Sequence, residues 1–178
     1  EVALRKDKPW EDAVMYDPVV IKEGSGYRMW YRTNLTSPPF YTGYAESPDG
    51  IHWEKPSLGL IDFEGSKENN LVWAGDPKAK DKPYTLCVFK DTNSKTPANE
   101  RYKAVGYAVG AKLGSGLQGL VSPDGLRWKL LKQEPVVPPK GPFDTHSIAF
   151  WDATREEYVA YTRGLPNGIR RICRTSTK

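Results

Sequence analysis

Ser47-Pro48-Asp49-Gly50-Ile51-His52-Trp53 recurs 75 residues later as Ser122-Pro123-Asp124-Gly125-Leu126-Arg127-Trp128. The same offset carries Tyr27, in Gly26-Tyr27-Arg28-Met29-Trp30-Tyr31-Arg32, onto Tyr102, in Arg101-Tyr102-Lys103-Ala104-Val105-Gly106-Tyr107. Two landmarks in one register establish an internal repeat. A third copy opens at Glu157-Tyr158-Val159-Ala160-Tyr161-Thr162-Arg163, with an arginine five residues after the tyrosine, as in the first copy.

Outward from these landmarks, each copy resolves into short alternating stretches separated by turn signals. Strands are expected near 18–22, 27–33, 41–47 and 51–54, then 84–90, 101–109, 116–122 and 126–132, then 146–152, 157–163 and 169–176. Four antiparallel strands per unit, repeated, describe the blades of an all-β propeller. The blades run from about 14 to 60, 80 to 137 and 142 to 178, the last lacking its outer strand. In each complete unit the Asp-Gly pair makes the turn from third to outer strand, and the tryptophan begins the outer strand and packs between blades. These segments resemble the Asp-box of sialidase propellers and act as fold staples.

About 2.75 blades fall short of the ~4–8 that close a ring. The chain therefore reads as an N-terminal fragment of a longer propeller whose C-terminal blades complete it. Self-association through open blade edges and an open stack of repeats are the alternatives.

Composition agrees with many turns and many strands. Gly and Pro together make up 31 of 178 residues and Trp, Tyr and Phe 21, where ordinary usage puts Gly plus Pro near ~12%. The net charge of +4 comes from interspersed signs, and no basic stripe marks a nucleic-acid surface. No apolar run approaches the ~20 residues of a membrane span. Cys87 and Cys173 stand far apart, in no metal-like spacing.

An acid at the start of an innermost strand faces one mouth of a propeller. Asp17 and Asp144 each stand four residues ahead of an isoleucine, Ile21 and Ile148, and so occupy equivalent positions; the second unit has Lys82-Pro83-Tyr84 there. Paired carboxylates are what glycosidic cleavage needs, one as nucleophile or base and one as proton donor. Each acid is also what a turn at a strand start would select, so both roles stay open.

Tyr16-Asp17-Pro18-Val19-Val20, followed by Gly26 to Arg32, resembles the first blade of the five-bladed propeller glycosidases, glycoside hydrolase families 32 and 43 and their relatives. The run Tyr44 to Leu60, then Gly65-Ser66-Lys67-Glu68-Asn69-Asn70, and the segment Gly141-Pro142-Phe143-Asp144 up to Arg163, are similar to bacterial family-32-like proteins. The resemblance implies a glycosidase acting on a fructoside or arabinoside, with Asp17 as nucleophile or base and Asp144 as the stabilising acid. The proton-donating glutamate of those families has no clear match; Glu46 is the best in-chain candidate, although it lies on a third strand.

Arg32 and Arg163 share one register, which suits an ion pair between blades or a grip on substrate hydroxyls or carboxylate. His146 shares a strand face with Asp144 and could contact a sugar. Trp10, Tyr16 and Trp30 could form a stacking platform, although core packing accounts for Trp30 more simply. Asn34-Leu35-Thr36 is a glycosylation sequon by pattern. No cofactor is expected; a structural calcium is compatible with the resemblance but has no dense ligand cluster here. Carbohydrate is the expected partner, and a secreted or periplasmic bacterial setting the expected location. The alternative to an enzyme is a non-catalytic carbohydrate-binding or protein-interaction propeller module.

Overall fold

A computed structural model of the chain describes residues 2–11, 15–33, 38–75, 83, 86–107, 116–138 and 146–177. The three expected units correspond to three antiparallel sheets. The first holds β1 (Tyr16–Glu23), β2 (Gly26–Arg32), β3 (Phe40–Ser47) and β4 (Leu71–Gly75) in sequential order. The second holds β5 (Leu86–Lys90), β6 (Tyr102–Tyr107), β7 (Leu117–Ser122) and β8 (Lys129–Leu130). The third holds β9 (Ile148–Asp152), β10 (Glu157–Gly164) and β11 (Arg171–Thr177). The first strands β1, β5 and β9 approach one another, and the sheets stack face to face.

The repeated heptapeptides are built alike to the tenth of an ångström. Ser47 Oγ accepts the Gly50 amide at 2.8 Å and Asp49 Oδ1 accepts those of Ile51 and His52 at 2.8 Å, while Trp53 Nε1 donates to the Gly50 carbonyl at 3.1 Å. Ser122, Asp124 and Trp128 repeat every one of these distances. Side-chain oxygens thus take up turn amides that the ladder leaves unpaired. The second turn also docks on the first sheet, where Trp30 Nε1 donates to the Gly125 carbonyl at 2.7 Å and Arg28 Nη2 to that of Asp124 at 2.7 Å.

The outer strand of the first sheet corrects the expectation at 51–54. Glu54 exchanges both backbone bonds with Glu46, at 2.9 and 2.8 Å, and the pairing stops there. Pro56 has no amide to continue a ladder. The chain instead makes a loop stitched by Asn69, whose carbonyl accepts the Leu58 amide and whose Nδ2 donates to the Ile61 carbonyl. It then returns as β4 alongside the first half of β3. The second sheet repeats this in brief: β8 spans only Lys129–Leu130, and Val137 comes back to bridge Leu117.

Side-chain alternation assigns the faces. On β2, Arg28 and Trp30 point to the second sheet, where Trp30, Tyr44, Val88, Tyr102, Ala104 and Leu120 form a buried cluster. On β6, Val105 and Tyr107 point instead to the third sheet and pack with Cys87, Leu117, Val137 and Ala160. The opposite face of β2, with Met29 and Tyr31, is covered by Leu4, Met15 and Trp53. Glu11, 1% exposed, fastens this cover. It accepts hydrogen bonds from the amides of Asp7 and Lys8 and from the Tyr31 hydroxyl, and pairs with Lys55 Nζ at 2.7 Å.

A polar staple repeats with the sheets. An acid stands at the end of each first strand or just after it, facing the approach to the second: Glu23 opposite Gly26, Asp91 opposite Arg101, Asp152 opposite Glu157. Glu23 takes the Tyr102 hydroxyl of the next sheet and its own Arg28; Asp91 takes the Tyr158 hydroxyl of the next sheet and its own Lys103. The Arg28 guanidinium also lies 5.1–5.3 Å from the ring centres of Trp30, Tyr44 and Tyr102, close enough for cation–π attraction.

Candidate functional site

The starts of β1, β5 and β9 meet at one end of the stacked sheets. There Asp17 leaves the ladder, with φ +51° and a bulge between Tyr16 and Val19 in its pairing with β2. A left-handed non-glycine residue costs roughly 1–2 kcal/mol, and bulges re-aim side chains. The Asp17 carboxylate lies 3.9 Å from Arg32 Nη1 and 3.8 Å from His146 Nδ1, joining the first sheet to the third. Both distances suit ion pairing but are too long for hydrogen bonds. The oxygens of a partly exposed carboxylate are thereby oriented without being consumed.

Arg32 closes β2 opposite Tyr16 and is 9% exposed, its guanidinium 5.6 Å from the centre of the Phe40 ring. Beneath His146 sits Cys87, near the start of β5. Its Sγ accepts the Ser147 amide at 3.3 Å and meets His146 Nδ1 at 3.5 Å. Burial, with Asp17's negative charge adding to it, pushes the thiol up to about 12. It therefore keeps its proton.

A polar layer lies under the same end. Thr42 Oγ1, Gln118 Oε1 and Ser147 Oγ are buried with no hydrogen-bond partner among the described residues. Thr42 pairs with Arg32, Gln118 with Gly106 at the end of β6, and Ser147 immediately precedes β9, so all three stand near Asp17's level in their sheets. Buried polar atoms are nearly always satisfied, and these three have no such partner among the described residues.

The other expected site residues divide between this end and elsewhere. Tyr16 opens β1 beside Asp17. Arg163, near the end of β10, lines a groove with His146 at the same end of the third sheet. Asp144 lies outside the described residues, as do the sequon and Lys82. Glu46 pairs with Arg28, four residues along β2 from Arg32. At ~3.3 Å per residue that is about 13 Å from Asp17's level, and Glu46 points into a different groove with Glu23, Tyr27 and Glu54. The structure does not bring it to Asp17. Trp10 is held by Asn70, its Nε1 donating to Oδ1 at 2.8 Å with its ring edge-on to Phe63, among the residues that brace the loop before β4. Cys87 and the three orphaned polar residues were not singled out from the sequence. Their strand-start positions were the only signal available.

Among the described residues, no group of three or more His, Cys, Asp or Glu side chains converges as a metal site would require. Among the described residues, no helix is long and apolar enough to cross a membrane.

No protein-family model matches the chain. An uncharacterized protein of Mycobacterium tuberculosis, Rv1502 in strain H37Rv and MT1551 in strain CDC 1551, is 34% identical over 123 residues, covering 66% of this chain and 34% of its own length. The chain thus spans about a third of the curated relatives that it matches. Among solved structures, an N-acetylgalactosamine deacetylase from F. plautii in complex with blood group B trisaccharide superposes with a TM-score of 0.60 at 16% identity, over 98% of this chain and 52% of that one. A glycosyl hydrolase from Bacteroides ovatus gives 0.53 at 15% identity, over 87% and 43%. A structure from the GH130 family of mannoside phosphorylases, which contains glycoside hydrolases targeting β-1,2 mannosidic linkages in Candida mannan, gives 0.52 at 14%, over 87% and 43%. At these identities the likeness is one of fold, and the chain shares the all-β architecture of carbohydrate-active proteins about twice its length.

Proposed function

We propose that the chain is part of a β-propeller glycosidase, its three sheets serving as blades and the Asp17 end as the mouth where a glycosidic bond is held and cleaved. The observation that supports this most is the meeting of Asp17, Arg32 and His146 from two separate sheets at the shared start of the first strands. In this reading Asp17 is the nucleophile or base, its unconsumed oxygens aimed at the anomeric carbon or a water. Arg32 and His146 flank the carboxylate, and His146 contacts a sugar hydroxyl. Asp144 is assigned the stabilising role, Arg163 and Tyr16 contact substrate, and the proton donor comes from elsewhere than Glu46. Further sheets complete the ring and supply the missing acid.

The test is turnover of a panel of aryl fructosides, arabinosides and mannosides by the chain and by the longest natural form containing it, with Asp17→Asn and Arg32→Gln beside the wild type. Loss of turnover in Asp17→Asn by at least a thousandfold, with the fold retained, is expected; unchanged turnover would remove Asp17 from the chemistry.

A second reading has one observation in its favour. Glu46, the in-chain candidate for proton donor, stands at the far end of its strand. A non-catalytic sugar-binding module would show saturable binding without turnover, and Asp17→Asn would leave that binding unchanged.

A further inference from the structure

Between the second and third sheets lies a largely apolar cavity of about 150 Å³, whose walls include Val105, Gly119, Val136, Ala149, Tyr158 and Thr175. Tyr27, Tyr102 and Tyr158 stand opposite Ser47, Ser122 and Thr177 on the next strand, so the three units align position by position. In that alignment Val105 takes the place of Trp30, Gly119 that of Tyr44, Ala149 that of Val88 and Thr175 that of Leu120. Each is the smaller of its pair. Trp30, Tyr44, Val88 and Leu120 all belong to the buried cluster that fills the corresponding space between the first and second sheets.

That first cluster is closed by Leu126, Trp128 and Leu130 of the second unit, which pack against it. They come directly after the second Asp-Gly turn, whose carbonyls at Asp124 and Gly125 accept from Arg28 and Trp30 at 2.7 Å. The second sheet offers a matching seat one unit on. Lys103 corresponds to Arg28, and it holds Asp91 and the Tyr158 hydroxyl as Arg28 holds Glu23 and the Tyr102 hydroxyl. The positions that would close the second cavity are those that follow Thr177, which stands where Ser47 and Ser122 stand in the earlier units.

We infer that this cavity is the docking seat for a third Asp-Gly turn and the outer strand behind it, supplied by the polypeptide that follows β11 in the longer propeller. Thr177 brings the turn's hydroxyl, the aspartate and glycine come two and three residues after it, and the tryptophan six after it, as in the first two units. Val105 has no N–H to offer where Trp30 has one, so this seat is held by apolar packing. Interiors leave few voids larger than a water, and the incoming side chains fill the volume that the smaller wall residues leave open. The inference rests on the chain being part of a longer propeller and is independent of whether that propeller cleaves sugar.

The experiment extends the chain after Lys178 by the second unit's own sequence from Asp124 to Lys132, so that Thr177 and Lys178 stand in for Ser122 and Pro123. A scrambled extension of the same composition is the control. The urea midpoint of the extended chain should lie about 0.5–1 M above that of the control. Nuclear Overhauser contacts should join the appended leucines and tryptophan to the methyl groups of Val105, Val136 and Ala149. A midpoint no higher than the control's, or contacts from the appended side chains to residues outside the cavity, would overturn the inference. Either failure would leave the Asp17 reading standing, since that rests on turnover measured separately.

Discussion

Replacing each of the two repeat glycines by alanine should have very unequal effects, because one sits in a turn at the surface and the other is wedged between sheets. Gly50 and Gly125 have φ of +80° and +77°, so each alanine suffers the same left-handed penalty of about 1–2 kcal/mol, less about 0.4–1 kcal/mol gained by stiffening the unfolded chain. These contributions cancel in the comparison. At Gly50 the new methyl group would lie 3.4 Å from the Tyr27 ring, an ordinary contact. At Gly125 it would lie 2.8 Å from Trp30 Cζ2 and 3.3 Å from Tyr102 Cδ1, and Trp30 is fully buried, so something must shift. Overpacking of this kind costs about 1–3 kcal/mol, and displacing the turn also strains the Trp30 Nε1 bond to the Gly125 carbonyl, worth about 1 kcal/mol. Gly125→Ala should therefore be less stable than Gly50→Ala by about 2–4 kcal/mol. With a slope near ~2 kcal/mol per molar, their urea midpoints should differ by about 1–2 M, followed by tryptophan fluorescence and circular dichroism. Coincident midpoints, or a larger loss in Gly50→Ala, would refute the docking of the second turn on the first sheet.

Three other outcomes follow from the same structure. Glu11→Ala should cost about 1–3 kcal/mol in urea unfolding, because it leaves Lys55 to Asp7 and the Arg5 carbonyl and takes the acceptor from the buried Tyr31 hydroxyl; Glu11→Gln should cost less by keeping the hydroxyl's acceptor. Burial opposes ionisation of Glu23, but hydrogen bonds from Lys90, Tyr102 and Arg28 outweigh it and hold the carboxyl at about 2, below the ordinary value of 4.5. Its contribution is therefore complete above pH 4.5 and is lost as pH falls towards 2. Glu23→Gln should flatten the acid limb of the stability profile in that window. Asp17→Gly should leave the melting temperature unchanged or raise stability by about 1 kcal/mol, since glycine adopts the left-handed backbone without strain, while abolishing sugar turnover.

The repeat made the sheets legible, because turn chemistry is local: Ser47 and Ser122 satisfy their own turns whatever lies around them. The third unit's strands lie where alternation put them, near 148–152, 157–164 and 171–177. The first unit's outer strand was misplaced because a single bridge at Glu54 and a proline two residues later send the pairing to a segment beyond a long loop, which no local pattern reveals. At the site, Asp17, Arg32 and His146 were legible as strand-end positions. That Cys87 would meet His146 was not, since the contact spans 59 residues and depends on how two sheets stack. Glu11 was equally hidden: its burial comes from an N-terminal segment with no periodicity of its own.

The most direct measurement is an amide chemical-shift titration of the 20.0 kDa chain with neutral and acidic oligosaccharides. The account predicts saturable shifts centred on Arg32, Thr33, His146 and Ser147. Shifts confined to the opposite groove around Glu46 and Glu54, or no shifts with any sugar, would contradict it.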